Sequence, residues 1–325
     1  VRPTSSEEPV TLIIDGTNMA YRAKYKFQLS NKGIDTSITY GFIKMLIPLI
    51  RDYNVNSVIV AWDGGIPTFR TKLVPEYKAN RHIDEDPEER KDFKRQMVEL
   101  HIHALPAMGV VSIYKDKVEA DDIIYHAAKV SSGKVLIVSS DKDLLQCCSE
   151  SVSVLNPSRD KVYTPELLED EIGIPAKDYI HWRALQGDSS DNISGVFGIG
   201  EKTATKLFKE FGSLSGICNA ADGCNPAGRL SDKLGDAVKL FGMNRINNNV
   251  MAMALFRDRC GCRLLMYNEI RNYQPLSKVR LMNYMMKNGF ASFVDTLPGL
   301  ASRLVKPALN IHERYPAICV ERISI

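Results

Sequence analysis

No stretch of the 325-residue chain approaches the roughly 18 apolar residues needed to cross a bilayer. The opening V-R-P-T-S-S-E-E-P lacks the apolar core of a signal peptide, so a cytoplasmic location without a membrane partner is expected. Cysteine is sparse and odd in number, seven in all with Cys147 and Cys148 adjacent, which argues against a disulfide framework in so long a chain. Cys218, Cys224, Cys260 and Cys262 could together bind zinc, but their spacing matches no common finger pattern, and reduced thiols are the expected reading. Internal repeats and long low-complexity linkers are also missing.

What the chain does have is carboxylate, nine acids in five groups: Asp15; Asp63; Glu119 with Asp121 and Asp122; Asp141 with Asp143; and Asp188 with Asp191. Asp15 ends T-L-I-I-D, Asp63 ends S-V-I-V-A-W-D and Asp141 ends V-L-I-V-S-S-D, while Glu119 follows V-V-S-I-Y. Such short apolar runs predict buried parallel strands. In an open α/β sheet the carboxyl ends of the strands share one crevice, so acids from distant segments become neighbours there. Singly, each acid could be a helix cap or a solvated charge. Nine at corresponding places predict a site for divalent cations, because crowded carboxylates resist ionising together. With oxygen donors only and no His or Cys among them, hard ions fit better than zinc: Mg²⁺ first, Mn²⁺ as the alternative.

The net charge of +3 conceals a split, because outside those nine acids 42 basic residues face 30 acidic ones. An acidic crevice in a basic body suits a polyanion held near metal ions. From Val10 to about Tyr163 strands alternate with amphipathic helices, predicting a doubly wound, mostly parallel sheet. Beyond it the pattern turns helical, so an α/β core over 10–175 and a helical region over 176–325 are expected. Thr164-Pro165-Glu166 reads as a helix start with Gly173 as its stop, and further helices are expected over Lys177–Gln186 and Glu201–Phe211. One long insertion, 64–105, breaks the rhythm. It carries Arg70, Lys72, Lys78 and Arg81 around Tyr77, close enough to Asp63 to reach over the crevice, then a charged run from Asp84 to Arg95 that reads as a solvated helix face.

A second signature spans 187–212, where G-V-F-G-I-G-E-K-T-A follows Asp191. Gly198 and Gly200 permit close approach of a phosphate, and the following helix offers its N-terminus with Lys202 in the first turn and Lys206 one turn on. It reads as a helix-hairpin-helix element gripping duplex backbone without reading bases.

Taken together, I-D-G-T-N at Ile14–Asn18, P-T-F-R at Pro67–Arg70, P-E-Y-K-A-N-R at Pro75–Arg81, V-E-A-D-D, S-S-D-K-D-L and G-D-S-S-D-N resemble the 5′ nuclease family. That family comprises flap endonucleases, the 5′ nuclease domain of bacterial DNA polymerase I and free-standing phage 5′ exonucleases. The resemblance runs in order over roughly Val10 to Ile217. It implies a PIN-like α/β core with a helical arch and a helix-three-turn-helix clamp. All nine acids match the family's metal-binding positions for two divalent ions. Lys78 and Arg81 match basic arch residues near the scissile phosphate, Tyr77 a neighbouring aromatic, and Arg22 a basic residue on the first helix; with these, Arg70 and Lys72 of the insertion and Gly198, Gly200, Lys202 and Lys206 of the hairpin are the expected DNA contacts. A K⁺ ion in the hairpin is also implied. So are 5′ ends, flaps and junctions of DNA as substrate, RNA–DNA hybrids as a further one, replication proteins as partners, and a role in primer or flap removal. Ser194 and Phe197 replace both prolines of the polymerase-type hairpin. No polymerase-like segment follows, so a stand-alone enzyme is expected. Two rivals are a PIN-type ribonuclease, which would not need the glycine hairpin, and a non-catalytic junction-binding protein, which would not need nine acids.

Overall fold

The computed structural model describes residues 8–80, 86–225, 227–228, 230–255, 261–262, 265, 268–269 and 273–304. Strand β1 (Val10–Asp15) leads into helix α1 (Gly16–Lys26), a two-residue-per-strand hairpin β2–β3 (Ser30–Asn31, Ile34–Asp35) and helix α2 (Ser37–Asp52). Strand β4 (Val55–Trp62) is followed by α3 (Thr68–Leu73) and α4 (Pro87–Glu99). A π-helical turn, Leu100–Ala104, continues α4 into the short α5 (Leu105–Ala107) before β5 (Val111–Tyr114). Helix α6 (Ala120–Val130), β6 (Lys134–Val138), β7 (Val152–Asn156) and β8 (Lys161–Tyr163) complete the sheet.

The six strands lie in the order β5-β4-β1-β6-β7-β8, with β8 alone antiparallel to its neighbour. Burial on both faces explains the continuous apolar runs. In β1, Ile13 joins the cluster under α6, while Leu12 and Ile14 join the cluster under α1 and α2. With β1 central and β4 and β6 on either side, the ends of three acid-bearing strands fall side by side.

The helical region begins with α7 (Pro165–Ile172), capped by the Thr164 hydroxyl and closed by Gly173 at φ 74°. Helix α8 (Tyr179–Gln186) runs into the hairpin β9–β10 (Gly187–Asp188, Ile193–Ser194), then α9 (Glu201–Phe211), closed by Gly212 at φ 75°. Helices α10 (Leu214–Ala221), α11 (Asp232–Phe241) and α12 (Met243–Met253) follow. Leu207, Phe208 and Phe211 of α9 and Ile217 of α10 share one apolar cluster with the sheet face that includes Ile13 and Ile137. Helix α13 (Lys278–Lys287) lies on the other face, where Leu281 and Met285 join the cluster of α2, and Phe293 stacks on Tyr40 at 4.8 Å.

The charged helix α4 is the solvated face its sequence indicates, with only Phe93 and Gln96 buried along it. Phe93 stacks on Tyr21 at 4.3 Å, and the Gln96 Oε1 accepts the backbone N–H groups of Ile38 and Thr39 at the start of α2. Among the described residues no helix is long and apolar enough to cross a membrane.

Candidate metal centre

Each acid reaches the crevice by a local rule. Asp15 ends β1 and caps α1, its Oδ1 accepting the Asn18 N–H at 2.9 Å and its Oδ2 the Ser139 hydroxyl at 2.8 Å. Asp63, just past β4, receives the Ala120 N–H at 3.0 Å and so caps α6, while its own N–H donates to Thr17 Oγ1 at 3.0 Å. Gly64 makes that approach feasible. A Cβ there would lie 1.7 Å from the Lys115 carbonyl oxygen, and the Gly64 N–H donates to Val118 O at 2.8 Å, joining the loops after β4 and β5. Consecutive residues of α6 diverge: Asp121 faces Asp141, Asp15, Asp63 and Lys78, whereas Asp122 is taken by Arg70. Asp141 Oδ1 accepts the Asp143 N–H at 2.8 Å, and both lie beyond β6.

The hairpin brings the last two acids. Asp188 Oδ1 accepts the Ser190 N–H at 2.8 Å and hydroxyl at 2.6 Å, and the Asp191 carbonyl accepts the Lys78 N–H at 2.9 Å. Lys78 stands at φ 54°, a left-handed conformation rare for a side chain of its size, with its ammonium on Glu119 and 3.6 Å from Asp191 Oδ2. The Tyr77 hydroxyl lies 3.2 Å from both Glu119 carboxylate oxygens and from Asp191 Oδ2. All nine acids therefore come from segments that meet at the carboxyl edge of the sheet and the hairpin beside it.

Three basic side chains stand among them. Arg70 forks onto Asp122 at 2.7 and 2.8 Å and contacts Glu119, Lys78 contacts Glu119, and Arg183 bonds Asp143 at 3.1 Å and contacts Asp188. Nine acids against three cations leave a formal surplus of six negative charges. Burial, then the charge of Asp63, pushes the Asp15 carboxyl up to about 7; burial, then Asp141, pushes Asp143 up to about 7 despite Arg183. Burial likewise raises Asp121, Asp141 and Asp122, the last held back by Arg70. Asp188 goes the other way: burial opposes it, but the Ser190 hydroxyl and Arg183 hold its carboxyl below the ordinary range. The oxygen-only donor set and this uncompensated charge fit hard divalent ions. Among the described residues no three acids are arranged to hold one ion together, and five of the nine are paired with Arg70, Lys78 or Arg183.

Arg70 corrects an expectation. Read as a DNA contact, it is 2% exposed, and its guanidinium is engaged with Asp122, Glu119 and the Ala252 carbonyl. Tyr77 and Lys78 are buried too, turned into the acids. Lys72, Lys202, Lys206, Gly198 and Gly200 are exposed, and so is Phe197, at 81%, between buried Val196 and Ile199. Arg22 is half-buried, donating to Ser158 Oγ at 2.6 Å and Pro157 O at 3.1 Å beyond β7. Arg81 lies outside the described residues, as does Cys260 of the zinc reading. Arg183 escaped the sequence analysis. Its signal was a basic residue one turn ahead of G-D-S-S-D on a helix closed by Gly187.

Comparison with known proteins agrees with this architecture. The model of the 5′-3′ exonuclease N-terminal resolvase-like domain matches residues 10–173, and that of the 5′-3′ exonuclease C-terminal SAM fold matches 174–252. The chain belongs to the 5′-3′ exonuclease family. It is 34% identical over 230 residues to a 5′-3′ exonuclease of Buchnera aphidicola, covering 67% of this chain and 75% of that protein. It is 35% identical over 243 residues to DNA polymerase I of Mycobacterium tuberculosis, covering 71% of this chain. The chain spans about a quarter of that polymerase's length, 26%. Among solved structures, the T5 5′-exonuclease with bound zinc matches with a TM-score of 0.63 at 20% identity, covering 90% of this chain and 99% of that one. The bacteriophage T5 flap endonuclease complexed with DNA and metal ions matches at 0.64, also at 20% identity and over the same shares of the two chains. These two likenesses establish the fold.

Proposed function

We propose that this protein is a structure-specific 5′ nuclease, hydrolysing DNA phosphodiester bonds at or near 5′ ends and at flap junctions to leave a 5′-phosphate and a 3′-hydroxyl. The observation that carries the reading is the surplus of buried carboxylate at one edge of the sheet, with the Lys78 ammonium turned into it. Divalent ions, with Mg²⁺ favoured and Mn²⁺ the alternative, would be held by Asp15, Asp63, Glu119, Asp121, Asp141, Asp143, Asp188 and Asp191, two ions supplying activation of water and stabilisation of the departing oxygen.

The chain's own residues do the rest. Lys78 places positive charge where the pentavalent phosphorus gathers negative charge, a role that Arg81, three residues on in the sequence, would share. The Tyr77 hydroxyl orients Glu119 and Asp191 by donating between them. Gly198 and Gly200 let a phosphate approach the start of α9, where Lys202 and Lys206 add charge, with Lys72 and Arg22 as further backbone contacts. A K⁺ ion on backbone carbonyls of the hairpin belongs to the same reading. RNA–DNA hybrids are a second substrate, since attack on the phosphate need not sense a 2′-hydroxyl, and primer or flap removal beside replication proteins is the biological setting.

A 5′-labelled flap duplex tests the reading. Cleavage in Mg²⁺, abolished by EDTA and by Asp143→Ala, is the expected result. Tight binding without cleavage would favour a junction-binding protein instead.

A further inference from the structure

Arg70 is among the largest fully buried side chains in the described structure, and it touches three residues on two other segments, the start of α6 and the end of α12. Carried on α3, directly after the acid-bearing β4 loop, it donates Nε to the Ala252 carbonyl at 2.8 Å. That carbonyl belongs to the last turn of α12, one of the four that no intrahelical N–H can satisfy, and a cation there also meets the negative end of the helix dipole. The two Nη groups clasp both oxygens of Asp122, and Nη1 also contacts Glu119 Oε2. The other oxygen of Glu119 contacts Lys78 Nζ, and both oxygens lie 3.2 Å from the Tyr77 hydroxyl.

We infer that Arg70 is a positioning residue: it fixes the rotamer of Glu119 within the metal centre and anchors that carboxylate to the end of α12. The inference rests on the nuclease reading above and goes beyond it by giving Asp122 and Ala252 definite parts. Asp122 is the counter-charge that holds the guanidinium plane and is not itself a metal ligand, since both its oxygens are spent on the fork. Ala252 is the carbonyl through which the helical region is joined to the acids. A guanidinium is required for this arrangement. A lysine ammonium has a single nitrogen and cannot donate in three fixed directions within one plane.

Two roles make different predictions. If Arg70 only neutralised buried charge, removing Asp122 along with it would restore everything. If it positions Glu119, the charge-balanced pair Arg70→Met with Asp122→Leu would fold yet hold metal poorly, because exchanging a buried ion pair for apolar side chains of like size is commonly tolerated.

The experiment compares the parent, Arg70→Lys and the double variant by thermal melting, by calorimetric titration with Mn²⁺ in the absence of DNA, and by cleavage of a flap duplex. The double variant is expected to melt close to the parent, to bind Mn²⁺ at least tenfold more weakly, and to lose kcat with little change in KM for the duplex. Arg70→Lys should retain the charge without rescuing Mn²⁺ affinity. Parental Mn²⁺ affinity in either variant would overturn the positioning role while leaving the nuclease reading intact. A double variant that fails to fold leaves Arg70→Lys to decide by the same titration. A parent that binds no Mn²⁺ at all would remove the nuclease reading and the positioning role together.

Discussion

Arg70, Lys78 and Arg183 decide how the crowded acids are held, and the sharpest consequences fall on single side chains. Removing Arg70 alone leaves Asp122 buried without its guanidinium, while Glu119 keeps Lys78 and Tyr77, so Arg70→Met should lower unfolding free energy by about 3–5 kcal/mol, measured by denaturant titration. On the proposed mechanism the Lys78 ammonium acts on charge that develops in the transition state, so Lys78→Ala should reduce kcat by about 10²–10³-fold with little change in duplex affinity. The buried acids also fix a pH dependence. Asp15 and Asp143 have folded pKa values near 7, above the unfolded value near 3.8. A raised carboxyl contributes stability that is complete below the unfolded pKa and lost as pH rises through the folded one. In EDTA the melting temperature should therefore fall between pH 5 and pH 8, and Mg²⁺ at pH 8 should restore it. The acids could be read from the sequence because each follows a strand or opens a helix. Their partners could not. Arg183 meets Asp143 across 40 residues and Ser139 meets Asp15 across 124, distances that only the assembled sheet closes.

Elements with strong local signals appeared where the sequence indicated. Helix α9 runs from Glu201 to Phe211 and stops at Gly212, and α7 starts at the Thr164 cap. Over Lys177–Gln186 the first turn is a 3₁₀ turn, Ala176–Asp178, and the α-helix begins at Tyr179. Elements shaped by packing were less legible. The antiparallel edge strand β8 is three residues long, too short for periodicity to mark, and the position of α13 on the far face depends on its contacts with α2. Arg70 was misread for a similar reason: a basic residue in an insertion looks solvated until the end of α12 covers it. The joined loops after β4 and β5 yield a test at this scale. Gly64→Ala would drive a methyl into the Lys115 carbonyl, so both the melting temperature and Mn²⁺ affinity should fall together. In the hairpin element, Lys202→Glu and Lys206→Glu should weaken duplex binding while sparing the melting temperature, since both side chains are exposed.

For the whole molecule, the division of charge follows from the division of the fold. The acids gather at one edge of a sheet buried on both faces, while outside those nine the sequence carries 42 basic residues against 30 acidic ones, with Arg70, Lys78 and Arg183 standing among the acids. A surface of that kind should bind nucleic acid mainly through phosphate contacts, so duplex affinity should fall steeply and linearly on a log–log plot against salt, with little dependence on base sequence. On the proposed reading the acids form one divalent-metal centre. Anomalous scattering from crystals grown with Mn²⁺ tests it most directly. Manganese peaks are expected inside the crevice bounded by Asp15, Asp63, Glu119, Asp121 and Asp141, and should be lost in Asp121→Asn with Asp141→Asn. Crystals saturated with Mn²⁺ that show no anomalous density among these carboxylates would contradict it.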